Sequence, residues 1–381
     1  MKIQDLSLEE QRDVAQKLLS KRYGDMEEVH AKLCEKYGVT RATLYRWAKL
    51  LKQDRVIDFE TSSFIKSRST MLDAEGNVRL QWVKEDRESV DRLAMISEAV
   101  DSVMNSIVPK EAISVPSIDN NDMMTIYSIG DAHIGMMAWH KETGEDHDMI
   151  IGERDLRNAM HMLVSQSVST DECFIIDVGD WFHSDNFDGK TAKSGNVLDV
   201  DGRYPKVLEI GLNLTTELID IALTKHNTIR WRSAIGNHNE HSAIMMSAFI
   251  KAYYRNEPRV IVHDTPNMFM YHKFGKNLIG VTHGHTVKAE KLGEIMAVDA
   301  KDLWSDTEYR YWYTGHIHHV SVKEFPSCLV ETFRTLAGKD AWHSASGYRS
   351  GQDMKAITLH KEYGEISRNT VSVGRVRANG N

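Results

Sequence analysis

Residues 229–242 read IRWRSAIGNHNEHS. The first seven, Ile229 to Ile235, form an apolar run of the kind that makes a strand. The run stops at Gly236, and Asn237, His238, Asn239, Glu240 and His241 follow without a break. Gly-Asn is a turn signal in its own right. Alone, the stretch fits either a polar turn that holds two histidines or one wall of a metal site. What stands at the ends of the neighbouring strands separates the two.

From about residue 123 strand patterns alternate with helical ones. Strands are expected at 124–130, 173–179, 229–236, 277–284 and 309–316, with helices at about 153–168, 203–226, 241–255 and 286–298. The tail alternates again in SCLVETFRTL, MKAITLHK and EISRNTVSV. This order predicts a layered α/β domain. Each of the five strands ends on the same residue types. The first ends in GDAHIG, with Asp131 and His133. The second ends in DVGDWFHSD, with Asp180 and His183 close by. The third ends in GNHNE, the fourth in THGHT (His283 and His285), and the fifth in TGHIHH (His316, His318 and His319). Ligands of α/β folds collect at the carboxyl ends of strands, so five such ends point to one site. Its donors are nitrogen and oxygen with no sulfur, which suits Mn²⁺, Fe²⁺, Zn²⁺ or Mg²⁺ rather than a structural zinc. They are too many for one ion and about enough for two that share a carboxylate.

The order Asp-x-His, Gly-Asp, Gly-Asn-His, His-Gly and Gly-His-x-His resembles the calcineurin-like metallophosphoesterases over about residues 124–335. The resemblance implies a β-sandwich flanked by helices and a dinuclear metal centre, with Mn²⁺ the expected ion. Carried over by position, Asp131, His133 and His318 would hold one metal and Asn237, His283 and His316 the other, with Asp180 bridging them. His238 would stand beside the scissile phosphate as the catalytic group. A hydroxide bridging the metals would attack phosphorus in line, and His238 would stabilise the phosphoryl charge or protonate the departing oxygen. One position departs from the family pattern. An acid usually follows the motif histidine and would orient its imidazole, but Asn239 stands there, with Glu240 one residue on.

The first 55 residues read as three short helices. A Ser-x-x-Glu capping box at Ser7 and Glu10 opens the first, which ends at Gly24, and the second ends at Gly38. In the third, Leu44, Trp47 and Leu50 or Leu51 would face inward, with Thr40, Arg41, Thr43, Arg46 and Lys49 outward. Between Lys36 and Arg55 six Lys/Arg stand against one acid, Asp54, in a chain of net charge −8. Helices, turn and charge together predict a helix-turn-helix domain over 1–55, with Arg41, Thr43, Arg46 and Lys49 on DNA. Residues 56–122 read as a connector with a β-hairpin, an amphipathic helix and a proline-containing linker. Residues 123–381 would form the phosphoesterase domain that the resemblance implies.

The family acts on several phosphoesters, so fold alone does not select the substrate. GDWFHSDN lacks the arginine that protein phosphatases of this family carry after Gly-Asp, and DAHIG resembles its nuclease branch. A DNA-binding module attached to a phosphoesterase predicts a DNA nuclease. The arrangement also resembles phage-borne phosphoesterases with an N-terminal helix-turn-helix. The alternatives are a phosphomonoesterase of nucleotides or phosphoproteins, and a DNA-binding regulator or adaptor with a structural phosphoesterase domain. The long loop 183–202, the segment 340–350 with His343, Tyr348 and Arg349, and Trp139 with His140 are candidates to line the groove, although ordinary polar loops account for each residue of 340–350 taken singly.

The 381 residues, 41% hydrophobic and 27% charged, describe an ordinary globular chain of two or three domains. Three dispersed cysteines make neither a disulfide framework nor a thiolate zinc site, and fit a reducing compartment. The N-terminus is too charged for a signal peptide, and no apolar run approaches the ~18 residues that span a bilayer. DNA is thus the expected partner and no membrane is. A cytoplasmic location is expected, that of the host if the chain is phage-encoded. A homo-oligomer stays open, and an ATPase partner subunit has no support in the sequence.

Overall fold

A computed structural model describes residues 14, 26–40, 43–44, 47, 65–72, 78–85, 109–118, 120–191 and 194–378. Contacts divide the chain into two compact units, Met1–Ser97 and Glu98–Asn381.

In the first unit, helix α1 (Met26–Tyr37) ends at Gly38, whose φ of 62° is the left-handed conformation of a glycine helix stop. The backbone N–H groups of Thr43 and Leu44 donate to the carbonyl oxygen of Thr40 at 2.9 and 3.1 Å, opening the next helical turn. Leu44 and Trp47, read as inward-facing, are buried, and Trp47 meets Tyr37 edge-on. Strands β1 (Ile65–Leu72) and β2 (Val78–Glu85) pair antiparallel. Arg41, Arg46 and Lys49 lie outside the described residues, as do the capping box at Ser7 and Glu10 and the helix read after β2.

The second unit contains, in chain order, β3 (Asn120–Ile129), α2 (His140–Thr143), α3 (Met149–Gln166), β4 (Thr170–Asp177), α4 (Tyr204–Leu223), β5 (Thr228–Ser233), α5 (Ser242–Tyr253) and β6 (Val260–Val262). There follow β7 (Met270–Phe274), β8 (Asn277–Val281), α6 (Ala289–Asp299), α7 (Lys301–Trp304), β9 (Tyr309–Thr314), β10 (Ser321–Glu324), β11 (Leu329–Thr332), α8 (Ala341–Ala345), β12 (Asp353–His360), β13 (Gly364–Ser372) and α9 (Val373–Ala378). One sheet has the order β13-β12-β3-β4-β5-β6, the other β10-β11-β9-β8-β7. β3, β4, β5 and β6 run parallel, as do β8, β9 and β11.

Alternation along the strands builds the layers, because successive side chains leave a strand on opposite faces. In β3 and β4, Ile126, Phe174 and Ile176 point to the second sheet and meet Ile279, Val281 and Tyr313 in a dry core between the sheets. Tyr127, Cys173 and Ile175 point the other way, under α3, α4 and α5. On the far face of the second sheet, Leu278 and Trp312 pack under Leu292 and Met296 of α6. The fold is therefore mixed α/β, two facing sheets flanked by helices. Residues 109–118, read as a linker, form no helix or strand but are tied to this unit. Lys110 Nζ donates to Asp220 at 2.6 Å, and the Ile113 N–H donates to Glu257 at 3.1 Å.

Candidate metal centre

All five parallel strands named from the sequence deliver their carboxyl ends to one place. The turn after β3 is fastened to the turn after β4 by backbone bonds. The N–H of His133 donates to the Asp180 carbonyl at 2.9 Å, Ile134 N–H to Trp181, and His183 N–H back to Ile134. Gly211 of α4 permits this turn to seat, since a Cβ there would run into the ring of Phe182.

Within this cluster the donor atoms of Asp131, His133 and His318 converge, and those of Asp180, His283 and His316 form a second group. The two groups abut, with His283 Nδ1 4.0 Å from Asp131 Oδ1. Asn237 joins the second group through its Oδ1, 3.1 Å from His283 Nε2. The structure thus brings together Asp131, His133, Asp180, Asn237, His283, His316 and His318, and sets His238 at their edge, its ring 4.9 Å from that of His133.

Three of the ligand candidates, Asp131, Asp180 and His283, are aimed by a neighbour. The Asp131 carboxylate accepts the backbone N–H of His316 at 2.9 Å, and Asp180 Oδ1 accepts that of His238 at 2.8 Å. His283 Nδ1 lies 2.9 Å from the Val178 carbonyl, which fixes the ring so that Nε2 faces Asp180 Oδ2 at 3.0 Å. Holding a ligand histidine by its second nitrogen is the usual way to set its tautomer. Glycines keep the space open, for a Cβ on Gly236 would strike the Asp180 carboxylate and one on Gly179 the His283 ring.

Backbone strain marks the same residues. Among the described residues the non-glycine positions with positive φ are Asp131 (39°), His133 (45°), Asp180 (54°), His316 (73°) and His318 (53°). The left-handed region disfavours residues with a Cβ and persists where the surroundings over-determine it, often at functional sites. All five belong to the ligand set.

Charge divides the site. Burial lowers His133 well below the ordinary histidine value, and the imidazoles of His238, His318 and His183 add to it. Burial likewise brings His183 down to about 3 and lowers His316. In His283 burial pulls down, but Asp180, Asp131 and the Val178 carbonyl together outweigh it and lift the ring to about 9. In Asp180 burial pushes up, but His283 and His238 together outweigh it and the carboxyl stays below its usual range. Asp131, joined by Asp180, likewise raises His318 against burial.

This donor set fits divalent cations. His133 Nε2 and His318 Nε2 lie 3.1 Å apart, as do the Nδ1 atoms of His133 and His183, and burial favours the neutral imidazole at His133 and His183. Nε2 of His183 is buried with no hydrogen-bond partner among the described residues. Converging nitrogen lone pairs and carboxylates with no sulfur are what a cation of the Mn²⁺, Fe²⁺ or Zn²⁺ type takes.

Three residues differ from expectation. Asn239 does not orient His238. It is fully buried, and its Oδ1 accepts the N–H groups of Gly236 (3.0 Å) and Asp180 (3.2 Å), which clasps the third strand-end turn to the second. The imidazole of His238 is held instead at Nδ1 by the His183 carbonyl, 2.8 Å away. His183, noted in the sequence only as a neighbour, packs inside the site, stacked on His238 with centroids 5.4 Å apart. His343 also belongs to the cluster rather than to an ordinary loop, since its ring stacks on that of His318 at 4.6 Å. Only the spacing Gly-Asp-x-x-His hinted at His183, and His343 was marked in the sequence only as one candidate of the segment 340–350, with nothing local to place it against His318.

No family model matches the chain, and no curated protein matches it. Solved structures show distant likeness. A conserved uncharacterized protein of Streptococcus pneumoniae, described as a predicted phosphoesterase, shares 12% identity over 66% of this chain and 98% of its own, with TM-score 0.26. An archaeal phosphodiesterase shares 13% over 66% of this chain and 99% of its own, with TM-score 0.32. A 5′-nucleotidase precursor from Thermus thermophilus shares 11% over 68% of this chain and 58% of its own, with TM-score 0.32. These values are too low to carry function, which has to be argued from the site itself.

Proposed function

We propose that the second unit is a divalent-metal-dependent phosphoesterase and that its substrate is a phosphodiester of DNA. The observation that carries this is the convergence of seven nitrogen and oxygen ligand residues from five strand ends, five of them held at positive φ. Asp131, His133 and His318 would hold one ion and Asn237, His283 and His316 another, with Asp180 shared. Mn²⁺ is the ion proposed, on the mixed nitrogen and oxygen donors. When bound, two such ions polarise a phosphoryl oxygen and acidify a water to near neutral pH.

The chain's own residues supply the rest. With Nδ1 on the His183 carbonyl, His238 has Nε2 left to hold or release a proton at the oxygen that departs. Asn239 keeps that histidine in place indirectly, by closing the turn that carries it. Support for DNA comes from the basic stretch Lys36–Arg55 in an acidic chain, which would capture the phosphate backbone that the rest of the protein repels.

The test is hydrolysis by the full chain with Mn²⁺ of single- and double-stranded DNA, bis-(p-nitrophenyl) phosphate and p-nitrophenyl phosphate, beside an Asp180→Asn control. Cleavage of both diester classes is expected. Hydrolysis of the monoester alone would sink the nuclease assignment. DNA binding without any hydrolysis would favour a regulator or adaptor.

A further inference from the structure

We propose that Trp342 is a stacking subsite for an unpaired nucleobase next to the scissile phosphate. The proposal rests on the phosphodiesterase function above and adds to it a preference for single strands.

A chain of ring contacts leads from the candidate metal centre to the surface. His318 is a ligand candidate of the first group. The His343 ring lies on it nearly parallel, at 4.6 Å and 16°. Trp342 meets His343 edge-on at 5.0 Å and 88°. Tyr348 closes the group, 5.1 Å from His343 and 5.7 Å from Trp342. The inner end is rigid, because Asp340 accepts both the backbone N–H and Nδ1 of His343 at 2.7 Å. The outer end is open, for Trp342 is 62% exposed. An indole fixed at its edge by neighbouring rings and bare to solvent offers a stacking surface at little further loss of side-chain freedom.

The charge around it suits a phosphate-linked base. Arg349 is held by the carbonyl oxygens of Ser344 and Tyr348, which leaves its positive charge on this rim. Lys339 lines the recess between His318, His343 and Tyr348, with part of its charge answered by Glu145 at 3.7 Å. Aromatic faces interleaved with cations are how single strands are held without regard to sequence, since every base has a π face. A base inside a duplex has both faces covered by its neighbours, so an exposed indole selects the unpaired strand.

The test uses the full chain with Mn²⁺ and a single-stranded oligothymidylate in which one abasic nucleotide is moved position by position. Wild type is expected to lose roughly five- to hundredfold in kcat/KM when the abasic nucleotide takes one position beside the cut. Trp342→Ala should lose a similar factor on the intact strand and become indifferent to that abasic position. Trp342→Phe should recover most of the loss. Tyr363→Ala is the control. Tyr363 is 69% exposed in the turn between β12 and β13, at the end of the sheet where β3 begins. If Trp342→Ala matches wild type on the intact strand, or keeps the full abasic penalty, the subsite is overturned while the phosphodiesterase stands. If wild type cleaves bis-(p-nitrophenyl) phosphate but no strand, the subsite and the DNA substrate fall together while the phosphodiesterase stands. If it cleaves no diester, both fall.

Discussion

The side-chain oxygen of Asn239 reaches the backbone N–H of Asp180, 3.2 Å away across two strand-end turns, while also accepting Gly236 N–H at 3.0 Å. Asp180 therefore depends on Asn239 for its position although the two sit 59 residues apart. Asn239→Ala leaves two buried donors unpaired, at about 1–3 kcal/mol each. A lower urea midpoint and weaker Mn²⁺ affinity by calorimetry are expected together. Asn239→Asp keeps an oxygen acceptor for both N–H groups and should fold better than the alanine variant. Equal midpoints for wild type and Asn239→Ala would remove the clasp from the account.

Asp180 and His238 separate binding from turnover. Asp180→Asn should lose both Mn²⁺ binding and hydrolysis. His238→Ala should bind Mn²⁺ as wild type does yet turn over roughly 10²–10⁴-fold more slowly, the range for loss of a general acid or base. Calorimetry and a bis-(p-nitrophenyl) phosphate assay read the two effects. A His238→Ala protein that cleaves at the wild-type rate would contradict its assignment.

Gly236 is the sharpest steric test of the centre. Its Cβ would occupy the place of the Asp180 carboxylate, so Gly236→Ala should cost more than a hundredfold in hydrolysis, by order of magnitude, if the carboxylate moves by about 1 Å. Gly374 in α9 would have nothing within 4 Å of an added methyl group and has no positive φ. Gly374→Ala should leave activity alone and raise stability by up to about 1 kcal/mol, the helix preference of alanine over glycine.

Acid should weaken the fold through His226. Burial lowers this ring to about 4, and both nitrogens are engaged, Nε2 with the Tyr127 hydroxyl at 2.8 Å and Nδ1 with the Thr170 hydroxyl at 2.7 Å. An unfolded histidine titrates near 6.5. The unfolded chain thus binds the extra proton between these values, so stability is full above about pH 6.5 and falls as pH drops towards 4. The loss from this residue is about 3 kcal/mol at most. Urea unfolding at stepped pH should show a steeper decline for wild type than for His226→Gln, and parallel declines would exclude His226 as the source.

The sequence carried the part of the site that is contiguous with the strands. Asp131, Asp180, Asn237, His283 and His316 each follow a buried run by one to three residues, so periodicity and a turn signal locate them. His343 could not be located that way. It reaches His318 only because the chain returns through β11 and lays α8 over the β9 end, and no local pattern encodes such a return. Asn239 was legible as a departure from a motif but not in its role, since that role is set by a backbone group on another strand. The order of the sheets was hidden for the same reason, as β12 joins β3 across more than two hundred residues.

The five left-handed residues put chemistry and folding in competition. Each holds a Cβ where only glycine is comfortable, at roughly 1–2 kcal/mol per residue, so the most functional positions of this unit are also among its least relaxed. Asp131→Gly or His316→Gly would relieve the backbone and abolish the ligand in one step. A screen that selected only for solubility or heat resistance would therefore drift towards inert proteins, trading away the centre residue by residue while the sheets around it improved.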